Sequence, residues 1–297
     1  GMGADFYQKY SVSKEIFNEL DVILDRNLTQ KIFAGNAEEI SMTENAQPSI
    51  MATSIAIFSA LIYEKIITKN TYTCVAGHSL GEYSALVANE SLSFRDSVKL
   101  LKVRSSAMQK SMPLGTGGMV AVIGCSYDLI KNILPELNTK SKIFIANDNA
   151  NGQIVLSGEV DAVQYVLDNY KDYNIKKAIR IPVSAPFHCE LMKNASDIMR
   201  DEVLKYTFKP FDVPLYSNVT SYICNHHEIP ELLVKQIVAR VRWREIVENM
   251  INDGIERFIE IGPGNVLTNL VKRISKNVMA LSISRLEDIN KLEKIKK

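Results

Sequence analysis

Gly77-His78-Ser79-Leu80-Gly81 is the one Gly-x-Ser-x-Gly in the chain, and it restricts what can fold on either side of it. Upstream, residues 72–76 read as a short strand; downstream, residues 82–89 carry Tyr83, Leu86 and Val87 at helical spacing. A strand feeding a helix through so tight a turn puts the serine between them on a strained corner. Gly77 and Gly81 are expected to relieve clashes that side chains would make there. The Ser79 hydroxyl then projects from the carboxyl end of the strand, beside the positive end of the helix. The Leu80 backbone N–H is placed to stabilise an oxyanion. The five-residue pattern also occurs as a chance turn; the flanking strand and helix favour the exposed serine.

The rest of the chain sets the frame. With 297 residues, 46% of them hydrophobic, it can bury one large core or two lobes. Its 35 basic and 34 acidic residues leave a net charge of +1. That balance argues against broad nucleic-acid or membrane-surface binding, while leaving room for a local basic patch that meets an acidic partner. Cys74, Cys125, Cys189 and Cys224 are far apart with no Cys-x-x-Cys, so reduced thiols are expected, with no metal site. No secretory signal opens the sequence, and the expectation is a soluble cytoplasmic protein. The most apolar run, residues 50–63, includes Thr53, Ser54 and Ser59 and stops at Glu64-Lys65. It reads as too short for a bilayer and therefore as a buried helix.

Along the chain, residues 5–28 have helical spacing in Phe6, Ile16, Phe17 and Leu20. Residues 43–46 are expected to cap a helix starting near Gln47-Pro48, since proline suits a first turn. Residues 93–112 predict a helix with Val98, Leu101 and Met108 inward, and the breaker run 114–118 marks a boundary. Beyond it the pattern changes to a strand (119–124), a helix (127–137), two paired strands (141–147 and 153–157), a helix (160–170) and a strand (177–182). That β-α-β-β-α-β order is the signature of a ferredoxin-like lobe. The fold class expected is α/β: a large α/β-hydrolase-like lobe with a short parallel sheet, from residues 1–116 and 185–297, and an inserted small lobe at 117–184. Helices return after residue 184, and a strand at 257–261 ends in Gly262-Pro263-Gly264. The lysine-rich residues 291–297 read as a frayed, solvated helix.

A serine needs a base to be nucleophilic at neutral pH, and histidine is the usual one. The chain has four. His78 adjoins Ser79, so its ring should point away and pack in the elbow. His226 and His227 sit in a polar turn before Pro230. His188 follows Ala185-Pro186-Phe187, a rigid linker returning from the small lobe, which suits a base held at a cleft; position alone does not decide it. On periodicity Arg104 reads as a surface arginine.

Gly77-His78-Ser79-Leu80-Gly81-Glu82-Tyr83 resembles the nucleophile motif of the malonyl-CoA:acyl carrier protein transacylases of bacterial fatty acid synthesis. Further stretches are similar, in order: Gln47-Pro48, Val103-Arg104-Ser105, the hairpin at 147–158, Pro186-Phe187-His188, Val234-Lys235-Gln236, Val241-Arg242-Trp243 and Glu260-Ile261-Gly262-Pro263-Gly264. The match runs from Gly1 to about Arg273.

This resemblance implies Ser79 as nucleophile, His188 as base, the Leu80 N–H as an oxyanion donor and the Gln236 main-chain carbonyl as the group orienting His188. It assigns the malonyl carboxylate to Arg104, whose guanidinium makes two parallel bonds that lysine cannot. His78, Asn149 and Phe187 join Arg104 in substrate binding. Leu80 and Phe187 are the pair that malonyl-selective members carry, although one extra methyl is discriminated by only about 1–3 kcal/mol. The implied reaction is ping-pong: malonyl-CoA acylates Ser79, and the phosphopantetheine thiol of acyl carrier protein collects the malonyl group. No metal or cofactor beyond the malonyl-CoA substrate is expected, and relatives suggest a monomer. A serine thioesterase or hydrolase, or a weakly catalytic scaffold binding the carrier protein, are the competing readings. The family pattern opens with a strand and a Gly-Gln-Gly-Ser-Gln turn that gives a second oxyanion N–H. The residues here begin at Gly1-Met2-Gly3, and without that donor a turnover lower by about 10²–10³ is expected.

Overall fold

The computed structural model describes residues 1–35, 37–138, 141–183 and 185–293. Ser184 at the lobe boundary and residues 294–297 of the lysine-rich end lie outside these. In chain order the first elements are α1 (Ala4–Lys9), α2 (Ser11–Leu24), α3 (Leu28–Ala34), α4 (Ala37–Ser41), α5 (Thr43–Tyr63), α6 (Gly81–Ala88) and α7 (Phe94–Lys110). Then follow β1 (Gly117–Ile123), α8 (Tyr127–Leu137), β2 (Ile143–Ala150), β3 (Gln153–Glu159), α9 (Val160–Asn169) and β4 (Lys177–Ile181). The chain continues through α10 (Lys193–Val203), β5 (Leu215–Tyr216), β6 (Ile223–Cys224), α11 (Ile229–Val238), α12 (Trp243–Asn252), β7 (Arg257–Ile261), α13 (Val266–Ile274), β8 (Met279–Ile283) and α14 (Ile289–Glu293).

The large lobe is organised around α5, which packs against α2, α6 and α7, while α7 also meets α10. Phe17, Leu20, Met51, Ile55, Leu86, Leu101 and Met199 share that core. The α5 helix begins four residues before the expected start and reaches 21 residues. By length and composition it could therefore cross a membrane, so shortness is not what marks it as a core helix; the unbroken burial of residues 51–57, nearly two turns, does. Pro48 sits more than a turn inside, where it supplies no N–H to the Glu44 carbonyl. Arg26 Nη2 donates to that carbonyl instead, at 3.0 Å.

The expected strand at 72–76 contracts to one parallel bridge, Val75 with Leu215. The Val75 N–H donates to the Pro214 carbonyl at 2.8 Å and the Tyr216 N–H to the Val75 carbonyl at 3.1 Å. Among the described residues nothing pairs with its other edge, and β5 is only two residues long, so a longer ladder has no partner. The parallel sheet of this lobe is otherwise β7 beside β8.

The sheet of the small lobe has four strands in the order β2-β3-β1-β4 with every neighbour antiparallel, and α8 and α9 pack against it, as the ferredoxin-like reading requires. Val120, Ile130, Ile143, Leu156 and Val163 form a core of their own. The strand expected at 141–147 runs on to Ala150 through two register shifts, which break the alternation that would have revealed it. Those shifts carry Asn147-Asp148-Asn149 onto the large lobe. There Asn147 bridges Val241, with the Asp148 N–H on the Val241 carbonyl at 2.9 Å. The Asp148 carboxylate, 1% exposed, takes Arg244 Nη2 at 2.8 Å and Nε at 3.2 Å, with Arg240 at 3.5 Å.

Candidate active site

Ser79 stands between the Val75 bridge and α6 with φ 55°, in the left-handed region. Such backbone costs about 1–3 kcal/mol and needs surroundings that enforce it. Gly77 is part of that enforcement, because a Cβ there would lie 1.9 Å from the Gly81 carbonyl oxygen. Gly81 corrects the sequence expectation: a Cβ added there meets nothing within 4 Å, so it is not a steric requirement of the elbow. A second enforcing group is Asn218, fully buried in the turn after β5. Its Oδ1 accepts the Ser79 N–H at 2.7 Å, and its Nδ2 donates to the Gly77 carbonyl at 2.7 Å. The pairing of Val75 with β5 delivers Asn218 to this position.

His188 also has a left-handed backbone, φ 59°. The Pro186 ring in its linker packs where a Cβ on Gly117 would intrude at 2.5 Å, which fixes the linker against β1, the first strand of the four-stranded sheet. The imidazole Nε2 is 2.7 Å from Ser79 Oγ, and Nδ1 is 2.9 Å from the Gln236 carbonyl oxygen. Gln236 lies in the last turn of α11, whose carbonyls have no partner within the helix and carry its negative end. That carbonyl can only accept, so Nδ1 bears the proton and Nε2 is free to accept from the serine hydroxyl. Burial pushes His188 down to about 3, with the positive charge of Arg104 adding to the effect. The ring is therefore a neutral base throughout the physiological range.

Arg104, on α7, is 1% exposed rather than on the surface. Its guanidinium donates to Gln47 Oε1 at 2.5 Å, Gln236 Oε1 at 2.8 Å and Ser79 Oγ at 3.0 Å. The Tyr83 ring lies beneath it at 5.7 Å. Every direct partner is uncharged, and burial lowers its pKa. A buried cation with neutral partners beside a nucleophile can pair with an anion brought to it. Ser79, Leu80, Arg104, Phe187 and His188 all line one cavity of about 180 Å³, with Met108 on its apolar side. Among the described residues no group accepts the Leu80 N–H, which leaves it available to an incoming oxygen.

His78 and Asn149 are not among the residues lining that cavity. They bond each other instead, His78 Nε2 to Asn149 Oδ1 at 2.8 Å, with the His78 ring 5.6 Å from Trp243. The rings of His226 and His227 lie tilted against each other, centroids 3.7 Å apart, in the turn after β6. Among the described residues no cluster of three or more His, Cys, Asp or Glu side chains could hold a metal ion, and all four cysteines are free thiols.

Sequence reasoning misses three participants: Gln47, Asn218 and Glu82. Gln47 and Glu82 stand inside motifs already picked out, but a polar residue on a buried helix face gives no sign of its partner. Asn218, in Ser217-Asn218 after an apolar run, gives no signal beyond that of a turn. Glu82, 2% exposed, has one oxygen 3.3 Å from the Asn218 backbone N–H and the other in a short contact with Gln236 Nε2. Glu260 serves the fold, since its carboxylate accepts the N–H groups of Leu267 and Thr268, at 3.1 and 2.7 Å, in the first turn of α13.

Comparison with known proteins finds likeness along nearly the whole chain. A family described as acyl transferase domain matches residues 1–294. The malonyl CoA-acyl carrier protein transacylase of Bacillus subtilis is 38% identical over 291 residues, covering 97% of this chain and 90% of that protein. Among solved structures, the acyl-carrier-protein-S-malonyltransferase of Bartonella henselae superposes with a TM-score of 0.95 at 37% identity, over 99% of this chain and 94% of that one. A malonyl-transacylase solved in complex with the acyl-carrier protein of a type II PKS gives 0.94 at 33% identity, over 99% and 95%. Since the likeness spans both lobes and nearly the whole length, the chain belongs to the acyl transferase domain family and groups within it with the malonyl-CoA:acyl carrier protein transacylases.

Proposed function

We propose that this chain moves the malonyl group from malonyl-CoA to the phosphopantetheine thiol of acyl carrier protein, in fatty acid synthesis, through a malonyl ester on Ser79. One observation carries the reading. Ser79 Oγ sits between a neutral imidazole at 2.7 Å and a buried guanidinium at 3.0 Å. His188 Nε2 takes the hydroxyl proton as Oγ attacks the thioester carbon, and the oxyanion forms against the Leu80 N–H. Collapse of the tetrahedral intermediate expels the CoA thiolate, which His188 Nε2–H protonates. In the second half the same base takes the proton of the carrier thiol as its sulfur attacks the ester carbonyl, and collapse expels the Ser79 oxygen, which takes that proton back from His188 Nε2–H. Arg104 pairs with the malonyl carboxylate, while Leu80 and Phe187 close the apolar side.

On this reading residues 1–116 and 185–297 act as the catalytic unit and 117–184 as an inserted one, supported by their separate hydrophobic cores. The protein acts as a cytoplasmic monomer. Intact-protein mass spectrometry after mixing with malonyl-CoA tests the first step. A malonyl adduct that maps to Ser79, is lost in Ser79→Ala and moves to added carrier protein supports it. No adduct, or release only to water as malonate, refutes it in favour of inactivity or hydrolysis.

A further inference from the structure

We propose that Glu82 is a positioning residue for malonyl selection: its buried carboxylate, which touches no substrate, fixes the amide orientation of Gln236 and through it the aim of Arg104. The inference rests on the transacylase reading and deepens it. Glu82 is excluded from solvent and does not line the cavity. It faces two donors, the Asn218 backbone N–H at 3.3 Å and Gln236 Nε2.

Gln236 is the junction. Its Nε2 also donates to the Ser79 carbonyl at 3.1 Å, its Oε1 accepts from Arg104 at 2.8 Å, and its main-chain carbonyl orients His188. The two ends of a glutamine amide have nearly the same shape, so hydrogen bonding alone decides which end faces Arg104. A carboxylate at position 82 can only accept, which forces Nε2 toward it and Oε1 toward the guanidinium. Were the amide reversed, an NH₂ group would confront Arg104 donor to donor. The guanidinium would then turn away from the place where it meets a carboxylate. Through Asn218 the same carboxylate also buttresses the elbow, since that residue holds both the Ser79 N–H and the Gly77 carbonyl.

Glu82→Gln tests this with almost no change of shape. One of its two positions now presents an NH₂ group to a donor, so the Gln236 amide loses its fixed sense. Rates of acyl-Ser79 formation are measured above pH 7, where Glu82 carries its charge, for wild type and variant with malonyl-CoA and with acetyl-CoA, which has no carboxylate to aim at. Losing a charge-assisted bond predicts a malonyl rate lower by about tenfold to one hundredfold, and a malonyl-to-acetyl ratio lower by about tenfold. A role limited to holding the fold slows both substrates together; an unchanged ratio in a folded variant overturns the proposal. Failure of the wild type to acylate at all would instead overturn the transacylase reading.

If the variant does not fold, the wild-type ratio is followed through pH 7. Burial pushes Glu82 up to about 7 against the bonds from Gln236 and Asn218 and the charge of Arg104. The other titratable groups around it are Tyr83 on its own helix, Cys224 on β6 and, across Gln236, His188. Tyr83 and Cys224 are shifted up to about 12, and His188 down to about 3, so none of them titrates near 7. A malonyl-to-acetyl ratio that falls below pH 7 as Glu82 takes a proton supports the proposal, and a flat ratio overturns it.

Discussion

Replacing Arg104 by alanine separates recognition of the malonyl carboxylate from the acyl transfer chemistry. In the resting site the guanidinium spans Gln47 Oε1, Gln236 Oε1 and Ser79 Oγ, all neutral. An incoming carboxylate offers it two parallel charge-assisted bonds, each contributing about 1.5–3 kcal/mol. Losing both removes about 3–6 kcal/mol, which at about 1.4 kcal/mol per tenfold is a fall of about 10²–10⁴ in malonylation of Ser79. Acetyl-CoA never makes those bonds. It loses the Arg104 contact to Ser79 Oγ, a single bond of about 1.5–3 kcal/mol, or about tenfold to one hundredfold. Arg104→Lys keeps the charge but not the fork, and should fall between wild type and alanine for malonyl. The assay is a time course of acyl-enzyme by intact mass at saturating donor, with matched thermal melts. If both donors slow by the same factor in Arg104→Ala, selection of the carboxylate by this arginine is refuted.

Three other expectations follow from the same geometry. Gly77→Ala should leave little folded protein, because its Cβ falls 1.9 Å from the Gly81 carbonyl, whereas Gly81→Ala meets open space and should melt within about 1 kcal/mol of wild type. Asp148→Asn leaves Arg244 and Arg240 without their buried carboxylate, and urea unfolding should show a loss of about 3–5 kcal/mol. For pH, His188 is held near 3 when folded against 6.5 unfolded, so between those values the unfolded chain binds more protons and stability rises with pH. Glu82, held near 7 against 4.5, acts in the opposite sense: between those values the folded chain binds more protons and stability falls as pH rises. His188→Gln should therefore steepen the loss of stability from pH 4.5 to 6.5 by about 1.4 kcal/mol per pH unit, read from urea midpoints; an unchanged slope would mean the imidazole is not held neutral.

The residues that carry strong local chemistry are legible without the structure. A glycine-bracketed serine, a histidine after a proline linker and a helix-period α7 are local patterns, and the βαββαβ order follows from periods that change cleanly. What escapes is set by partners far along the chain. Arg104 reads as a surface residue until Gln47, 57 positions away, and Gln236, 132 away, are seen around it. Asn218 reaches the elbow only because β5 meets Val75, a contact of one bridge that no alternation announces. The end of β2 hides for the opposite reason: its polar Asn147-Asp148-Asn149 looks like a turn, and is strand only because two bulges and a buried ion pair hold it down. The start of α5 lies earlier than Pro48 implies, because a proline suits a first turn and nothing local shows that Arg26 compensates for it inside the helix.

The fastening of the four-stranded sheet to the segment before α12 bears on the order of events at Ser79. A backbone bridge and a desolvated carboxylate gripped by two arginines resist any swing that would widen the crevice. On the proposed function, both thiol carriers must thread their pantetheine arms into the same narrow slot, one after the other. Free CoA should then compete with the carrier protein for the acylated form, and unacylated carrier with malonyl-CoA for the empty one. A double-displacement rate law would thus be written into the architecture as a shared doorway.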